Sequence, residues 1–415
     1  MFRKLLANPM KLCEIKRKEK SQNQLTVIIP HFNDSFRLIR LITSINKSES
    51  VELIVIDDAS ENFHKYVVFF LSKIIKNLKV IFNKSNRGPG YSRNIGLNTA
   101  SSPYIGFADS DDYYIGYLNS INFNALIDND VDIIPLSVRN PMRQPQICSG
   151  DVTKIFTELS IEDLIYSKSH RFSPEVWGYI FRRDFIEKIN CRFLDMYYGE
   201  DLIFLLTALS NEPKIVTAPT WQYVHTPSIG LSRAFRNDRS NDLYTLIMKL
   251  RSFKQTHGAL SKFIEAQEFE IIEHLDISIF FDLLTQTNLA TRREMYTLLG
   301  LDLNERFNNL KNKVNHLLDF CKNENHVYLY CLSDRSIFLA RLILSKTKSS
   351  VTIIDDARHG EVLVEGTRIR CRSDSFIYHL KHSLCVIVAN NNEETQKNIS
   401  ARLLSANKHL RIMLF

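Results

Sequence analysis

The sequence lacks several features that would assign it to particular classes of protein. None of its seven cysteines forms a Cys-x-x-Cys pair, which argues against a disulfide framework or a zinc site and favours a reducing compartment. No apolar run approaches the roughly 18 residues needed to cross a bilayer, and no secretory signal is recognisable. We therefore expect a cytoplasmic protein, and its 415 residues are enough for two or three domains.

An excess of charge is also absent from most of the chain. The net charge is +7, but residues 1–20 carry seven Lys/Arg against two Glu and so account for +5 of it. The nearly neutral remainder argues against a nucleic-acid-binding face. Residues 1–23 are open to two interpretations: a basic amphipathic segment at the anionic inner face of the cell membrane, or a solvated terminus.

What the chain does contain is an alternation of buried-type strands with amphipathic helices. Short β-branched runs at 24–30, 51–56, 78–82 and 104–108 are separated by segments with helical spacing of apolar residues. This pattern predicts an α/β fold with a mainly parallel sheet and helices on both faces. Ligands of such sheets bind beyond the carboxyl ends of the strands.

The pattern changes twice further along the chain, which predicts the domain organisation. Residues 24–239 are expected to form the first α/β domain, and 240–325 a largely helical linker region. Residues 326–415 resume the strand and helix alternation, which predicts a smaller, Rossmann-like α/β domain. The first turn of that domain, residues 331–336, contains no glycine, so side chains would block a pyrophosphate and no NAD is expected. We expect this domain to serve in packing, homo-oligomerisation or partner docking.

Carboxylates collect where the fourth predicted strand ends, in the stretch YIGFADSDDYY. Asp109, Asp111 and Asp112 would repel one another unless a positive charge lies among them. A divalent cation on a phosphate ester would supply that charge, since hard cations take oxygen ligands. The alternative is a plain acidic turn, and Asp112 in particular is expected to cap a helix.

Five segments, in order, resemble the family-2 glycosyltransferases of the GT-A fold over residues 24–232. They are TVIIPHFN, LIVIDDAS, NRGPGYSRNIG, FADSDD and YYGEDLIFLLTAL. The resemblance implies that Asp111 holds a metal ion together with Asp109 and His225. It also implies that Asp201, with Glu200 as its substitute, is the catalytic base, and that Trp177 begins the acceptor side. The donor nucleotide would be bound by Pro30, Phe32, Asp57, Asp58, Asn86, Gly88, Arg93, Asn94 and Asp109, with uracil read by one of the adjacent aspartates.

Several of these residues also have structural interpretations. Acidic residues at 200 and 201 stabilise the start of the apolar helix that follows them. A lone histidine such as His225 is often a structural hydrogen-bonding group. One member of the Asp57–Asp58 pair is expected to cap a helix.

The function implied by the resemblance is an inverting, metal-dependent sugar transfer. The donor would be a UDP-sugar carrying a hexose or N-acetylhexosamine, and the cofactor Mn²⁺ or Mg²⁺. The acceptor would be a glycan or glycolipid of bacterial lipopolysaccharide or capsule assembly. A nucleotidyltransferase is disfavoured because HFNDSF after the first strand carries no Gly-rich basic loop. The remaining alternative is an inactive, transferase-like scaffold that binds partners.

Overall fold

The computed structural model describes most of the chain as two compact units. The described residues are 23–45, 50–115, 121–139, 158–166, 174–217, 222–226, 239–254, 260–285, 289–355, 360–364, 367–373, 384–390 and 393–415. Of these, the first unit takes the residues up to Thr226 and within Ser252–Phe263, and the second takes those within Pro227–Arg251 and Ile264–Phe415. The basic segment expected at 1–23 lies outside the described residues apart from Asn23.

The first unit opens with the predicted alternation of strands and helices. Its elements are β1 (Leu25–His31), α1 (Ser35–Ile45), β2 (Val51–Asp57), α2 (Asn62–Ile74), β3 (Leu78–Phe82), α3 (Pro89–Thr99) and β4 (Tyr104–Phe107). The four strands pair in parallel in the order β3-β2-β1-β4. The side chains of β1, β2 and β4 are buried almost without interruption, as expected for strands covered on both faces, whereas the outer strand β3 is partly exposed.

The rest of the first unit extends this sheet and adds a small second one. The further strands are β5 (Tyr113–Ile115), β6 (Ile133–Pro135), β7 (Ser137–Arg139), β8 (Glu158–Leu159), β9 (Tyr179–Arg182), β10 (Ile215–Val216) and β11 (Gln222–Val224). The helices are α4 (Phe123–Asp128), α5 (Ile161–Tyr166), α6 (Arg183–Lys188) and α7 (Glu200–Leu209). The large sheet continues as β4-β9-β6-β10-β8, with β9 antiparallel to both neighbours, while β5, β11 and β7 form the small sheet.

One close approach fixes α3 against the sheet. A Cβ atom on Gly96 would lie 2.3 Å from Cγ2 of the buried Ile28 in β1, so only glycine fits at this helix position. This contact holds α3, and the residues at its start, over the carboxyl half of β1.

The second unit has its own sheet and its own buried apolar cluster. Helices α8 (Arg239–Lys254), α9 (Ser261–Thr285), α10 (Leu289–Leu298) and α11 (Leu303–Cys321) precede the sheet, and α8 and α9 each contribute a few residues to the first unit. The sheet order is β14-β15-β13-β12-β16-β17, parallel except for β14. Its elements are β12 (His326–Tyr330), α12 (Asp334–Lys346), β13 (Ser350–Ile354), β14 (Gly360–Val364), β15 (Thr367–Arg372), β16 (Leu384–Val388), α13 (Glu393–Ala406) and β17 (Leu410–Leu414).

The turn after β12 is held by hydrogen bonds within the protein. Ser333 caps α12 by accepting from the N–H of Ser336, and the Asp355 carboxylate accepts from the N–H of Leu332 at 2.8 Å. The α/β class, with a second and smaller sheet, is thus confirmed. Among the described residues, no helix combines the length and apolar character that a membrane span requires.

Candidate active site

Parallel pairing brings the predicted site residues of three strands together at the carboxyl ends of those strands. His31, the last residue of β1, pairs with Asp57 at the end of β2, and Ile28 pairs with Phe107 of β4. The acidic turn 109–112 therefore follows β4 on the same side of the sheet as the carboxyl ends of β1 and β2.

Asp57 is fully buried and is hydrogen-bonded to His31. Its Oδ2 lies 2.9 Å from His31 Nδ1, and its Oδ1 accepts a hydrogen bond from the N–H of Ser60 at 3.0 Å. Because His31 Nε2 accepts from the N–H of Asp34 at 3.2 Å, the ring proton lies on Nδ1 and is donated to Asp57. The pair fixes the turn after β1 against the end of β2.

Asp58 organises the glycine-containing turn before α3. Its Oδ2 accepts from the N–H groups of Gly88 at 2.7 Å and Arg87 at 3.1 Å, and its Oδ1 accepts from the Asn83 amide at 2.8 Å. Gly88 adopts φ = 86°, and a Cβ there would lie 2.9 Å from Tyr197 Cε1. One of Asp57 and Asp58 was predicted to hydrogen-bond the uracil base. Both lie at the carboxyl ends of the parallel strands, as expected, and both accept hydrogen bonds from the protein.

Arg93, in the second turn of α3, joins three of the predicted carboxylates. Its Nη1 contacts Asp201 Oδ1 at 2.6 Å and Glu200 Oε1 at 3.2 Å, and its Nη2 contacts Asp109 Oδ1 at 2.9 Å. The guanidinium is buried, and Glu200 and Asp201 begin α7 after Gly199 in the left-handed conformation. One cation thus holds the end of β4 and the start of α7 together.

Three carboxylates around one buried cation leave an excess of negative charge, which the pKa shifts reflect. Burial, opposed by the Arg93 charge and reinforced by Glu200 and Asp109, raises the pKa of Asp201 well above its usual value. Burial likewise raises the pKa of Glu200. A carboxylate with a raised pKa is a better proton acceptor, which is what a general base requires.

The acidic turn can offer a divalent cation three oxygen ligands. Asp109, Asp111 and Asp112 each have an oxygen within 4.8 Å of the others, and oxygen ligands suit Mg²⁺ and Mn²⁺. Asp111 Oδ2 lies 3.3 Å from Arg37, and Asp109 uses Oδ1 for Arg93. The donor set therefore fits a divalent metal ion.

Asp112 does not cap a helix, so that expectation was wrong. Strand β5 follows it, and its buried carboxylate accepts hydrogen bonds from the Tyr223 hydroxyl and the N–H of Thr226, both at 2.6 Å. Its Oδ2 also lies 3.3 Å from His225 Nδ1. Burial alone would lower the pKa of His225, but the hydrogen bond and charge of Asp112 raise it. Asp112 thereby ties β11 to the acidic turn.

An aromatic stack lies beside this contact. The Trp177 ring stacks on Tyr223 with centroids 4.7 Å apart and on His225 with centroids 5.2 Å apart. Trp177 precedes β9 and is largely buried, and the adjacent Val176 N–H points to Asp201 at 3.4 Å. The predicted acceptor-side tryptophan therefore lies between the base candidate and the predicted metal histidine.

The remaining predicted donor residues are less closely involved. Pro30 and Phe32 flank His31 at the end of β1, and Asn86 is exposed in the turn before Gly88. Asn94 exchanges two hydrogen bonds with the backbone of Phe193, at 2.8 and 3.0 Å, and so contacts protein at the position where donor contact was expected.

Sequence reasoning left Tyr223 and His31 out of the predicted site. The Tyr223 hydroxyl accepts from the N–H of Asp109 at 3.0 Å while it donates to Asp112, so it supports both carboxylates. Its position two residues before His225 was a usable signal, because residues two apart in an extended segment share a face. His31 was visible as the polar end of a buried strand.

Comparison with known proteins identifies the domain that carries this site. Residues 26–137 match the family model described as glycosyl transferase family 2. The chain contains a family-2 glycosyltransferase domain. The resemblance stated from the five segments is thus confirmed.

Proteins similar to this chain include three bacterial proteins, two named as a glycosyltransferase or glucosyltransferase and one named for succinoglycan biosynthesis. "Uncharacterized glycosyltransferase EpsJ" of Bacillus subtilis is 26% identical over 215 residues, which are 48% of this chain and 60% of that protein. "Succinoglycan biosynthesis protein ExoO" of Rhizobium meliloti is 25% identical over 272 residues, 60% of this chain and 76% of that protein. The "GalNAc(5)-diNAcBac-PP-undecaprenol beta-1,3-glucosyltransferase" of Campylobacter jejuni is 28% identical over 194 residues, 43% of this chain and 57% of that protein.

The match to the first of these relatives spans 60% of its length, so a substantial part of that protein lies outside the similarity. Among solved structures, S. aureus TarS 1–349 in complex with UDP-GlcNAc is similar with a TM-score of 0.46 and 18% identity, covering 83% of this chain and 95% of that one.

Proposed function

We propose that this chain is an inverting glycosyltransferase that moves a hexose or N-acetylhexosamine from a UDP-sugar to a hydroxyl group of a glycan acceptor. The observation that carries the proposal is the contact of one buried guanidinium, Arg93, with both the base candidate Asp201 and the donor-side Asp109. A sugar transferase needs its base and its donor site held at a fixed separation, because the acceptor oxygen must attack from one side while the nucleotide leaves from the other.

The reaction follows from these positions. The acceptor hydroxyl oxygen forms a bond to the anomeric carbon, and the bond from that carbon to the β-phosphate oxygen breaks. The electron pair of the broken bond leaves with UDP, and the hydroxyl proton passes to the Asp201 carboxylate. Arg93 orients Asp201, and the Glu200 charge raises the proton affinity of its neighbour.

Asp111 and the second oxygen of Asp109 are the residues we propose to hold Mn²⁺ or Mg²⁺. Asp112 already accepts three hydrogen-bond contacts from β11 and its extension, so its contribution would be to position the turn. His225 lies outside the group of three aspartates and contacts Asp112 through Nδ1, so it would reach the ion only through Nε2. When bound, the ion would neutralise negative charge on the diphosphate of the leaving nucleotide.

We propose a lipid-linked glycan of bacterial surface polysaccharide assembly, such as lipopolysaccharide or capsule, as the acceptor. The relative named for succinoglycan biosynthesis and the relative named as an undecaprenol-linked glucosyltransferase support this class. These similarities span 60% and 43% of this chain, so the acceptor belongs to the proposal and not to the family assignment.

A panel of donors tests the function directly. Purified protein is titrated with UDP-, GDP- and CMP-sugars in the presence of Mn²⁺ or EDTA, and thermal shift and nucleotide release are measured. We expect one UDP-sugar to stabilise the protein only when metal is present. If no nucleotide sugar binds under either condition, the inactive scaffold replaces this proposal.

The Asp201→Asn variant tests the assignment of the base. We expect it to retain the metal-dependent thermal shift with the donor but to lose about 10²- to 10⁴-fold in kcat, the usual contribution of a general base. Asp184→Asn is the matched control, because Asp184 is exposed and pairs with Arg183 on α6. A variant at Asp201 with wild-type kcat would remove this residue from the mechanism.

A further inference from the structure

Helix α2 is apolar around most of its circumference, although only one side of it packs on the sheet. Val68 and Leu71 face the core of the first unit. Five other large apolar side chains of the same helix are between 40% and 61% exposed; they are Phe63, Tyr66, Phe69, Phe70 and Ile74. A contiguous exposed apolar patch of this kind ordinarily marks a surface that contacts a protein or a membrane.

The neighbouring helix extends the same surface. Phe36 of α1 is 69% exposed, and its ring lies 6.1 Å from that of Phe63. We define the aromatic face as Phe36, Phe63, Tyr66, Phe69, Phe70 and Ile74. It is carried by two helices that pack side by side in the first unit.

The charge around the aromatic face is mainly positive. Helix α2 and the five residues after it contain four lysines and no Asp or Glu, while one acidic residue directly precedes each of the two helices, Asp34 before α1 and Glu61 before α2. Lys65 and Lys73 belong to α2 itself, and Lys73 Nζ lies 4.8 Å from the centre of the Phe69 ring. A partner of this surface must therefore be apolar in its interior and negatively charged at its boundary.

We propose that the aromatic face docks on the surface of an anionic lipid bilayer. Phenylalanine and tyrosine on one side of a helix, bordered by lysine, are the composition of helices that lie in the interface plane of a membrane. Interfaces with other proteins are depleted in lysine, which makes a protein partner the poorer match. Each lysine near an anionic bilayer adds about 1 kcal/mol of attraction, which falls with salt.

The aromatic face starts near the carboxyl ends of the strands, where the candidate active site lies. Phe36 and Phe63 lie in the first turns of the helices that follow β1 and β2, the strands that end at His31 and Asp57. A bilayer docked there would bring the headgroup of a lipid-carried acceptor toward the acidic turn. The docking itself does not depend on the proposed transferase function.

Sedimentation with vesicles tests the docking on the full chain. We expect the protein to sediment with vesicles of phosphatidylcholine and phosphatidylglycerol, more weakly with phosphatidylcholine alone, and less at high salt. Phe63→Ser combined with Phe70→Ser, and separately Lys65→Glu combined with Lys73→Glu, should each lower the partition coefficient about tenfold, which is about 1.4 kcal/mol. Phe269→Ser, an exposed phenylalanine in the second unit, is the control and should bind as wild type.

Fluorescence locates the contact even if another part of the chain also binds lipid. Phe70→Trp should be quenched by brominated phosphatidylglycerol beyond the quenching of the native tryptophans, whereas Phe269→Trp should not. Equal quenching of the two variants, or face variants that sediment as wild type, would overturn the proposal. The proposal would also be overturned if the wild-type protein did not bind vesicles but formed a dimer in solution that Phe70→Ser dissociates. The aromatic face would then be covered by a second copy of the chain.

The two proposals fail separately. Vesicle binding is measured without nucleotide sugar, and donor binding is measured without vesicles. A protein that binds a UDP-sugar but no vesicle loses only the docking, and one that binds vesicles but no donor loses only the transferase function.

Discussion

At the scale of single residues, the site has fewer cationic side chains than carboxylates. Arg93 alone contacts Asp109, Glu200 and Asp201, and its own Nε has no hydrogen-bond partner within the described part of the chain. Burial of such a group is costly unless the remaining contacts are strong, and the short Nη1–Asp201 distance of 2.6 Å supplies one. Burial raises the pKa of the base candidate Asp201, and the negative charges of Glu200 and Asp109 add to that increase.

The pH dependence of sugar transfer should therefore change when Glu200, the residue next to the proposed base Asp201, loses its charge. The base acts in its ionised form, so kcat/KM falls as pH drops through the pKa of Asp201. Because the Glu200 charge raises that pKa, Glu200→Gln should lower it and move the acid limb to lower pH. The pH profile of kcat/KM measures the shift.

Glu187→Gln is the control for this profile, since Glu187 is a surface residue that pairs with Arg192. Its acid limb should coincide with that of the wild type. A Glu200→Gln limb that stays in place, or moves to higher pH, would mean that another group controls the profile.

At the scale of elements, the sequence was informative about the strands and helices and less so about their loops. Strands β1 to β4 lie within a residue or two of the predicted ranges, because β-branched runs between polar turns have few alternatives in a parallel sheet. Helix α3 begins at Pro89, since proline is well suited to the first helical position.

The packing of α3 on β1 should be sensitive to a single methyl group. Gly96→Ala gains helix propensity of about 1 kcal/mol but puts a carbon 2.3 Å from Ile28, in a core with no exposed exit. Overpacking costs about 1–3 kcal/mol, so the free energy of unfolding should fall overall. Denaturant titration of the full chain measures it.

Asn98→Ala is the control, because Asn98 lies on the exposed side of α3 and its replacement changes helix propensity without changing the packing of α3 on β1. It should leave the free energy of unfolding within about 0.5 kcal/mol of wild type or raise it. If Gly96→Ala is as stable as Asn98→Ala, the helix does not approach the strand as closely as described.

At the scale of the whole molecule, two units with separate apolar cores share one chain. All the predicted site residues belong to the first unit. A ligand stabilises the unit that binds it, by about 2.7 kcal/mol at a hundred times its Kd. None of the residues proposed for the site belongs to the second unit.

Calorimetry of the intact chain should therefore show two transitions. A UDP-sugar with Mn²⁺ is expected to raise the Tm of one transition and leave the other unchanged, and EDTA should abolish the shift. A single transition that moves as a whole would mean that the units unfold cooperatively. The predicted division at residues 240 and 326 stays a prediction.

The sequence by itself determined the fold class and the family, and it predicted residues that the structure brings together at the candidate site. Periodicity and strand ends are local properties, and a parallel sheet converts strand ends into neighbours without further information. Only the tertiary structure decided which atoms meet. Arg93 meets three carboxylates from two distant segments, Asp112 supports β11 where a helix was expected, and Asp58 is occupied by the turn before α3. The physical reason is that a buried carboxylate must be satisfied by whichever donors packing brings within reach, and packing is not encoded in the spacing of any one segment.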